Sequence, residues 1–323
     1  MEPSIRFRNS VWPTGCKWVR GSPKGLNTEL VEDTAPITKV LKRWHRSRRR
    51  FSGFYIIDEW EPDLGIDSTG NDADLNVREL SEEPALFRFF AGLRSDADEF
   101  VKFADEWGLL WNPIKFKREI FLYRAGDIDR VGHSMWAEAA EDWIAEIDRM
   151  CRAVRLWDLI DEQDEHSLIS FLEQSRKIDG LGFDALYGRQ MGKRGVSEEI
   201  AREIDRLMLS RKVEDLLRSG NVREAAREEL AFMVNDSVMH VFSLMIWPEP
   251  HQNWAVNITP ECLLDFLWLQ FATAIAGGVR YQSCVECGAW FIVAPGRGRE
   301  DKKFCSDACR MRAYRNRKSQ RSP

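Results

Sequence analysis

The chain has 323 residues and a formal net charge of −5, with 44% hydrophobic and 31% charged residues. Thirteen Trp and eighteen Phe exclude a disordered polymer and predict a soluble globular protein of one large domain or two ordinary ones. The opening MEPSIRFRNSVWPTG mixes charge and aromatics without an apolar run, so it does not read as a secretory leader and points to the cytoplasm.

The first patterned segment, TAPITKVLKRWHRSRRRF from Thr34, places Ile37, Val40, Leu41 and Trp44 at helical spacing with basic residues on the other side. A basic amphipathic helix of this kind fits a phosphate backbone or an acidic partner. The stretch from Asp58 to Glu83 holds ten acidic residues against Arg78 alone and can neutralise that helix within the molecule, which is the favoured reading. Asp72, Asp74, Asn76 and Glu83 imitate a calcium loop, but Val77 stands where the sharp turn needs glycine.

Two short helices are expected in PALFRFFAGLRSDADEFVKFADEWGLL, meeting at 92–95, with Ser95 as cap of the second and Gly108 as its stop. A longer helix is predicted from about Met135 to Asp161, where Trp136, Ala140, Trp143, Ile144, Ile147, Met150, Val154 and Trp157 recur every three or four residues. Such a stripe is core rather than a cofactor box. The glycine-rich run from Gly180 to Gly195 fails the phosphate-loop spacing and reads as an exposed loop, a possible boundary within the body. Two helices broken at Gly220 and Asn221 follow. Strand-like runs are few: FYIIDEW, VMHVFSLMIW and part of the cysteine-rich end.

The run CLLDFLWLQFATAIAGGV is interrupted by Asp265 and Gln270, too polar and short to span a bilayer, so it is a core helix. Its expected cap is Thr259, with Pro260 at the first helical position and Gly277 and Gly278 as the stop. Cys16, Cys151 and Cys262 are scattered among apolar or aromatic neighbours and read as small buried hydrophobes without chemistry.

The remaining four cysteines form Cys284-x2-Cys287 and Cys305-x3-Cys309, two close pairs of soft ligands suited to a tetrahedral thiolate site. One structural zinc ion is the expected metal, because four protein ligands leave no position for water or substrate. A disulfide pair and an iron–sulfur cluster are the competing readings. Gly288 lets the first turn close, and WFIV is expected to pair with KKF as a hairpin across APGRGRED. Ser306 and Asp307 then suit the start of a helix through RMRAYRNRK, giving a treble-clef order of turn, hairpin and helix.

This run, CVECGAWFIVAPGRGREDKKFCSDACRMRAYRNRK, resembles the bacterial CGNR-type zinc fingers and related CxxCG, FCSxxCR modules placed at the C-terminus of transcription regulators. The likeness covers about forty residues and rests on the Cys pairs, Gly288, Phe291 and KKFCSDACR, while Arg310-Met311-Arg312 stands where the named family has Gly-Asn-Arg. It implies zinc binding, DNA binding and a role in transcription regulation.

Residues 284–323 carry ten Lys or Arg and four Asp or Glu, a net of +6, so residues 1–283 carry −11. Arg310, Arg312, Arg315, Arg317, Lys318 and Arg321 lie on or just past the expected helix, with Tyr314 among them and no acidic residue after Asp307. Phosphate contacts with one stacking or groove-reading side chain fit this pattern. His45, His133, His166, His240 and His251 form no metal pair and accompany no nucleophile motif, so an enzyme is not expected unless a site assembles in space.

The sequence therefore predicts a mainly α fold with a few short strands. A helical body at 1–283, with a possible sub-boundary near 180–195, precedes a zinc module at 284–323. The expected ligands are Cys284, Cys287, Cys305 and Cys309, and the expected partner is nucleic acid, DNA before RNA, met by Arg310, Arg312, Tyr314, Arg315, Arg317 and Lys318. The body is expected to take a small-molecule or protein effector, and no membrane is involved. The alternative is an interaction protein whose zinc module is a folding clasp.

Overall fold

The computed structural model describes residues 4–5, 8–11, 16–20, 29–30, 35, 54–58, 76–79, 83, 85–94, 96–110, 119–122, 133–179, 209–238, 242–247, 255–260, 262–293 and 302–319. Helix predominates among them, so the fold is mainly α. They divide into two compact units, Met1–Asp148 with Val241–Pro323 and Arg149–His240. The basic segment at 38–50 and the glycine-rich loop at 180–195 lie outside the described residues. Among the described residues no helix is long and apolar enough to cross a membrane.

All the described strands belong to the first unit. Strands β1 (Ser4–Ile5), β2 (Arg8–Val11), β3 (Cys16–Arg20), β4 (Glu29–Leu30), β5 (Phe54–Asp58), β6 (Asn76–Glu79), β7 (Glu119–Leu122) and β8 (His133–Ala139) precede β9 (Phe242–Trp247) and β10 (Ala255–Pro260). An antiparallel sheet runs in the order β4-β3-β5-β8-β7, β2 pairs with β6, and β10 lies between parallel β1 and antiparallel β9. Asn76, the fifth position of the calcium-like pattern, sits in β6 opposite Val11, while Asp72 and Asp74 lie outside the described residues.

The short helices α1 (Leu86–Ala91) and α2 (Ala97–Trp107) stand where the sequence places them. The cap of α2 is Asp96 rather than Ser95: its carboxylate accepts from the Asp98 N–H at 3.0 Å. Gly108 ends the helix with φ 91°, a left-handed conformation that only glycine adopts without strain. Helix α3 (Ala140–Glu162) begins five residues later than expected, because Met135 and Trp136 pair with Ile120 and Glu119 in β8. Large residues every third or fourth position do not separate a strand from the helix that continues it, and here the sheet ladder claims the first turn.

A similar shift occurs further on, where Thr259 and Pro260 face Ser243 and Phe242 in the β9–β10 ladder instead of starting a helix. Proline is tolerated at a strand end where no amide hydrogen is required. Helices α4 (Glu165–Asp179), α5 (described over 209–218) and α6 (Val222–Val238) belong to the second unit together with the rest of α3. Gly220, at φ 79°, and Asn221 break α5 from α6 as the sequence indicates. Within this unit the buried Arg149 donates to the Asp236 carboxylate at 2.5 Å. Asp164 caps α4 by accepting from the Ser167 N–H at 3.1 Å and from its hydroxyl at 2.6 Å; these bonds, the hydroxyl first, lower the Asp164 pKa.

Helix α7 (Leu263–Ala276) carries the apolar run and returns the chain to the first unit's core, ending at Gly277 as expected. Gln270, the polar interruption of that run, donates through Nε2 to the Glu83 carbonyl at 2.6 Å and accepts the Phe87 N–H at 3.1 Å. It thereby supplies to α1 the capping group that Ala85 lacks. Phe87 meets Phe271 at 5.1 Å between ring centroids, and Phe90, Phe100 and Phe103 converge on Trp143 at 6.4, 5.8 and 6.0 Å.

Glu138, buried at the end of β8, holds this core to the chain leaving α2, accepting from the Leu110 N–H at 2.9 Å and from Trp143 Nε1 at 2.7 Å. Glu138→Ala leaves both donors buried without this acceptor, and a loss of about 2–4 kcal/mol is expected in denaturant unfolding.

Candidate metal centre

The metal site is built on a hairpin that starts where α7 stops. Gly278, at φ 58°, turns the chain out of the helix into β11 (Arg280–Ser283), which pairs antiparallel with β12 (Trp290–Val293), from Arg280 opposite Val293 to Ser283 opposite Trp290. The connecting turn contains Cys284 and Cys287. It is closed by the Cys284 N–H on the Ala289 carbonyl at 2.9 Å and the Gly288 N–H on the Cys284 carbonyl at 2.8 Å. Gly288 takes φ 73°, so a side chain there strains the backbone although its Cβ meets nothing within 4 Å.

WFIV therefore pairs with RYQS and not with KKF. Lys302–Phe304 forms no strand; it returns alongside the turn, where the Lys303 carbonyl accepts the Val285 N–H at 3.1 Å. The nearer partner wins because the cysteine turn itself closes the hairpin. RYQS escapes a reading by pattern since Tyr281 is its one apolar residue.

Helix α8 (Asp307–Ser319) follows, with Ser306 as its cap: the Ser306 hydroxyl accepts the Cys309 N–H at 3.3 Å, and its carbonyl accepts the Arg310 N–H at 3.1 Å. This cap fixes Cys309 in the first turn with its sulfur facing the hairpin. Asn316 Nδ2 donates to Glu286 Oε1 at 3.1 Å, tying the far half of α8 to the cysteine turn.

The four sulfurs all lie within 4.8 Å of one another, with Cys287 to Cys305 and Cys305 to Cys309 both at 3.6 Å. Metal–sulfur bonds of about 2.3 Å in a tetrahedron put sulfurs about 3.8 Å apart, so the group can bind a metal ion with little adjustment. At 3.6 Å these sulfurs are not disulfide-bonded, a bond of about 2.05 Å, and all four cysteines are free in this structure. Cys284 and Cys309 are buried against Phe291 with Val293 and Phe304 beside them, whereas Cys287 is exposed. Lys302 Nζ stands 5.2 Å from the Phe291 ring and covers the outer edge of this small core.

The thiols divide the protons unevenly. Burial opposes ionisation of Cys284, but the backbone N–H groups of Cys305, Cys287 and Glu286 and the Cys287 thiol outweigh it and bring its pKa down to about 6. At Cys287 the Ala289 N–H favours the thiolate, yet the neighbouring Cys284 and Cys305 sulfurs outweigh it and push the pKa up to about 12. Burial and the Cys309 sulfur also raise Cys305.

The sequence does not single out the group that seats this hairpin. Arg88, the lone cation in FRFF of α1, is 6% exposed and places its guanidinium 4.8 Å from the Trp290 ring, 5.2 Å from Tyr281 and 5.8 Å from Phe87. Tyr281 meets Phe87 edge-on at 5.4 Å. A cation enclosed by three rings joins one strand each of the hairpin to α1. An arginine inside a phenylalanine run is the signal that would have found it.

The other candidates are placed as follows. Arg310, Arg312, Tyr314, Arg315 and Arg317 are exposed on α8, Lys318 lies on the same helix, and Arg321 falls outside the described residues. Cys151 is exposed, not buried, and Cys262 is buried at the start of α7. His133 lies in β8 and His166 is exposed on α4, far apart in sequence, while His45, His240 and His251 are outside the described residues. Among the described residues the four-cysteine group is the metal-capable cluster of Cys, His, Asp and Glu.

These features define a mainly helical protein with a metal-capable four-cysteine module at its C-terminal end. Neither a family model, nor a curated protein, nor a solved structure matches the chain.

Metal binding must expel the protons held on Cys287 and Cys305, and below about pH 6 that on Cys284 as well, so affinity rises with pH. A competition titration against a chelator is expected to show at least a hundredfold weaker binding at pH 5.5 than at pH 7.5, and Cys305→Ser is expected to abolish tight binding at both.

Arg88→Ala removes the cation between the rings and is expected to speed metal transfer to a chelator several-fold. Arg88→Met, which restores the apolar stem, is expected to recover only part of that loss.

Proposed function

We propose that this chain is a zinc-dependent nucleic-acid-binding protein of the transcription-regulator type. The observation that carries the reading is α8, a helix with Arg310, Arg312, Arg315 and Arg317 exposed around an exposed Tyr314, anchored at its first turn by a four-sulfur site. In this reading zinc is structural: four thiolates complete its shell, and ligation supplies the folding energy that a module of about forty residues cannot obtain from its own core. A space bounded by sulfurs within 4.8 Å suits one ion and is too small for a multi-iron cluster.

The charge division supports the same reading. Residues 1–283, at −11, repel phosphates, so contact concentrates on the +6 end. The resemblance of 284–318 to CGNR-type fingers agrees with it. A second reading, in which the module is a clasp or docks a protein, draws on the seat of the hairpin over Arg88, which a purely external reader helix does not require.

Elemental analysis of purified protein is expected to give one zinc per chain, and iron in its place overturns the metal assignment. Anisotropy titration of a labelled duplex over a salt series tests the partner: affinity is expected to fall with salt, with a log–log slope of about −0.9 per phosphate contact. Neutralising Arg312, Arg315, Arg317 and Lys318 to Gln is expected to abolish binding and leave zinc content unchanged. Unchanged affinity and slope in that variant would remove α8 as the nucleic-acid surface and direct the search to the basic segment at 38–50, whereas no duplex binding by wild type at low salt would favour the clasp.

A further inference from the structure

We infer that α8 enters the major groove of duplex DNA and that Met311 and Tyr314 on its outward face read base edges, with Met311 contacting thymine methyl groups. The inference rests on the nucleic-acid reading above and assigns the part of it that reads sequence.

At about 100° per residue, Cys309, Ala313 and Asn316 share one side of α8. That side is turned to the cysteine turn: Cys309 is 6% exposed, Ala313 is half-buried and Asn316 bonds to Glu286. Met311 and Tyr314 lie opposite, 47% and 58% exposed, and the Lys318 position continues their stripe. Arg310 falls on one flank of that stripe and Arg315 on the other, both exposed. Arg310 pairs with Asp307 at 3.1 Å along its own helix, an exposed i,i+3 contact that a phosphate can replace.

This arrangement favours a duplex over a single strand. A helix in the major groove has a phosphate wall on each side and base edges in front, which asks for cations on both flanks and uncharged contact groups between them. Thirteen residues give α8 a length of about 20 Å, enough to cross a groove about 12 Å wide. A single-strand surface instead stacks successive bases on several aromatic rings, and the exposed face of α8 offers Tyr314 alone. The flexible thioether of Met311 is an apolar group free to close on the thymine methyl, which stands in the major groove and distinguishes thymine from the other bases there.

Two duplexes of one alternating A·T-containing sequence, identical except that the second carries uracil in place of every thymine, provide the test with the full-length zinc-loaded protein. Wild type is expected to bind the thymine duplex at least about fourfold more tightly, the value of one buried methyl group. Met311→Ala is expected to bind both equally, with the same salt slope and zinc content as wild type, because an exposed apolar side chain holds neither phosphate nor metal. Tyr314→Ala is expected to weaken binding to both duplexes.

Equal binding of the two duplexes by wild type, or a thymine preference that survives Met311→Ala, overturns the inference and leaves the nucleic-acid reading standing. Tighter binding to single-stranded oligothymidine than to either duplex overturns it in favour of a stacking surface. Failure of wild type to bind any of the three at low salt overturns both readings.

Discussion

The constraint on which the C-terminal end depends is convergence of four sulfurs into a sphere a few ångströms wide. Two of them come from one tight turn and two from the mouth of a helix, and each of these local structures must be correct before the sulfurs meet. Gly288 in a left-handed conformation closes the turn, the Ser306 hydroxyl sets the first turn of α8, and Phe291 supplies the apolar floor beneath Cys284 and Cys309. The turn is also the closure of the β11–β12 hairpin, so the same hydrogen bonds that align the strands align the ligands. A metal bound here adds cross-links to a structure whose backbone geometry already anticipates them.

The hairpin joins the metal site to the first unit's core. Its Tyr281 and Trp290 hold Arg88, and Arg88 sits in α1, whose first turn is fastened to α7 through Gln270. Helix α7 runs straight into β11. A closed circuit of contacts thus passes from the aromatic core through Arg88 to the hairpin and back along the chain, and it links order at the metal site to order in the core. Any change that loosens α1 is expected to reach the ligands through this circuit, a coupling carried by packed side chains and one shared cation.

The metal-capable group was legible in the sequence, because two pairs of soft ligands at short spacing are what a tetrahedral thiolate site requires, and the fold brings all four sulfurs together. Helix stops marked by glycine were legible too: Gly108, Gly220 and Gly277 stand where backbone freedom is needed or the helix ends. Starts were less so. Thr259 and Pro260 have the chemistry of a helix start, and Met135 and Trp136 the spacing of a helix stripe, but all four belong to strands whose partners lie elsewhere in the chain. A cap signal reports what a residue can do locally, and a ladder formed with a distant segment overrides it. The same limitation hid β11, since a strand stabilised by the turn that follows it needs no apolar alternation of its own.

Arg88 and Gln270 show the other kind of information that a linear reading loses. Each is a polar residue within an apolar run, the sort of interruption that counts against burial in a hydropathy profile. In the folded chain each satisfies a need created by a remote segment: Gln270 bonds a carbonyl and an amide near the start of α1, and Arg88 places its charge against rings of β11 and β12. For Arg88 the energetic value comes from desolvation, since a cation–ring contact is stronger where water is excluded, whereas Gln270 is half-buried and its bond to the Glu83 carbonyl is exposed. The exposed arginines of α8 are the opposite case. They lie at the surface, where a pair such as Arg310 with Asp307 contributes little to folding, so the buried cation secures the module while the exposed ones leave their charge in solvent.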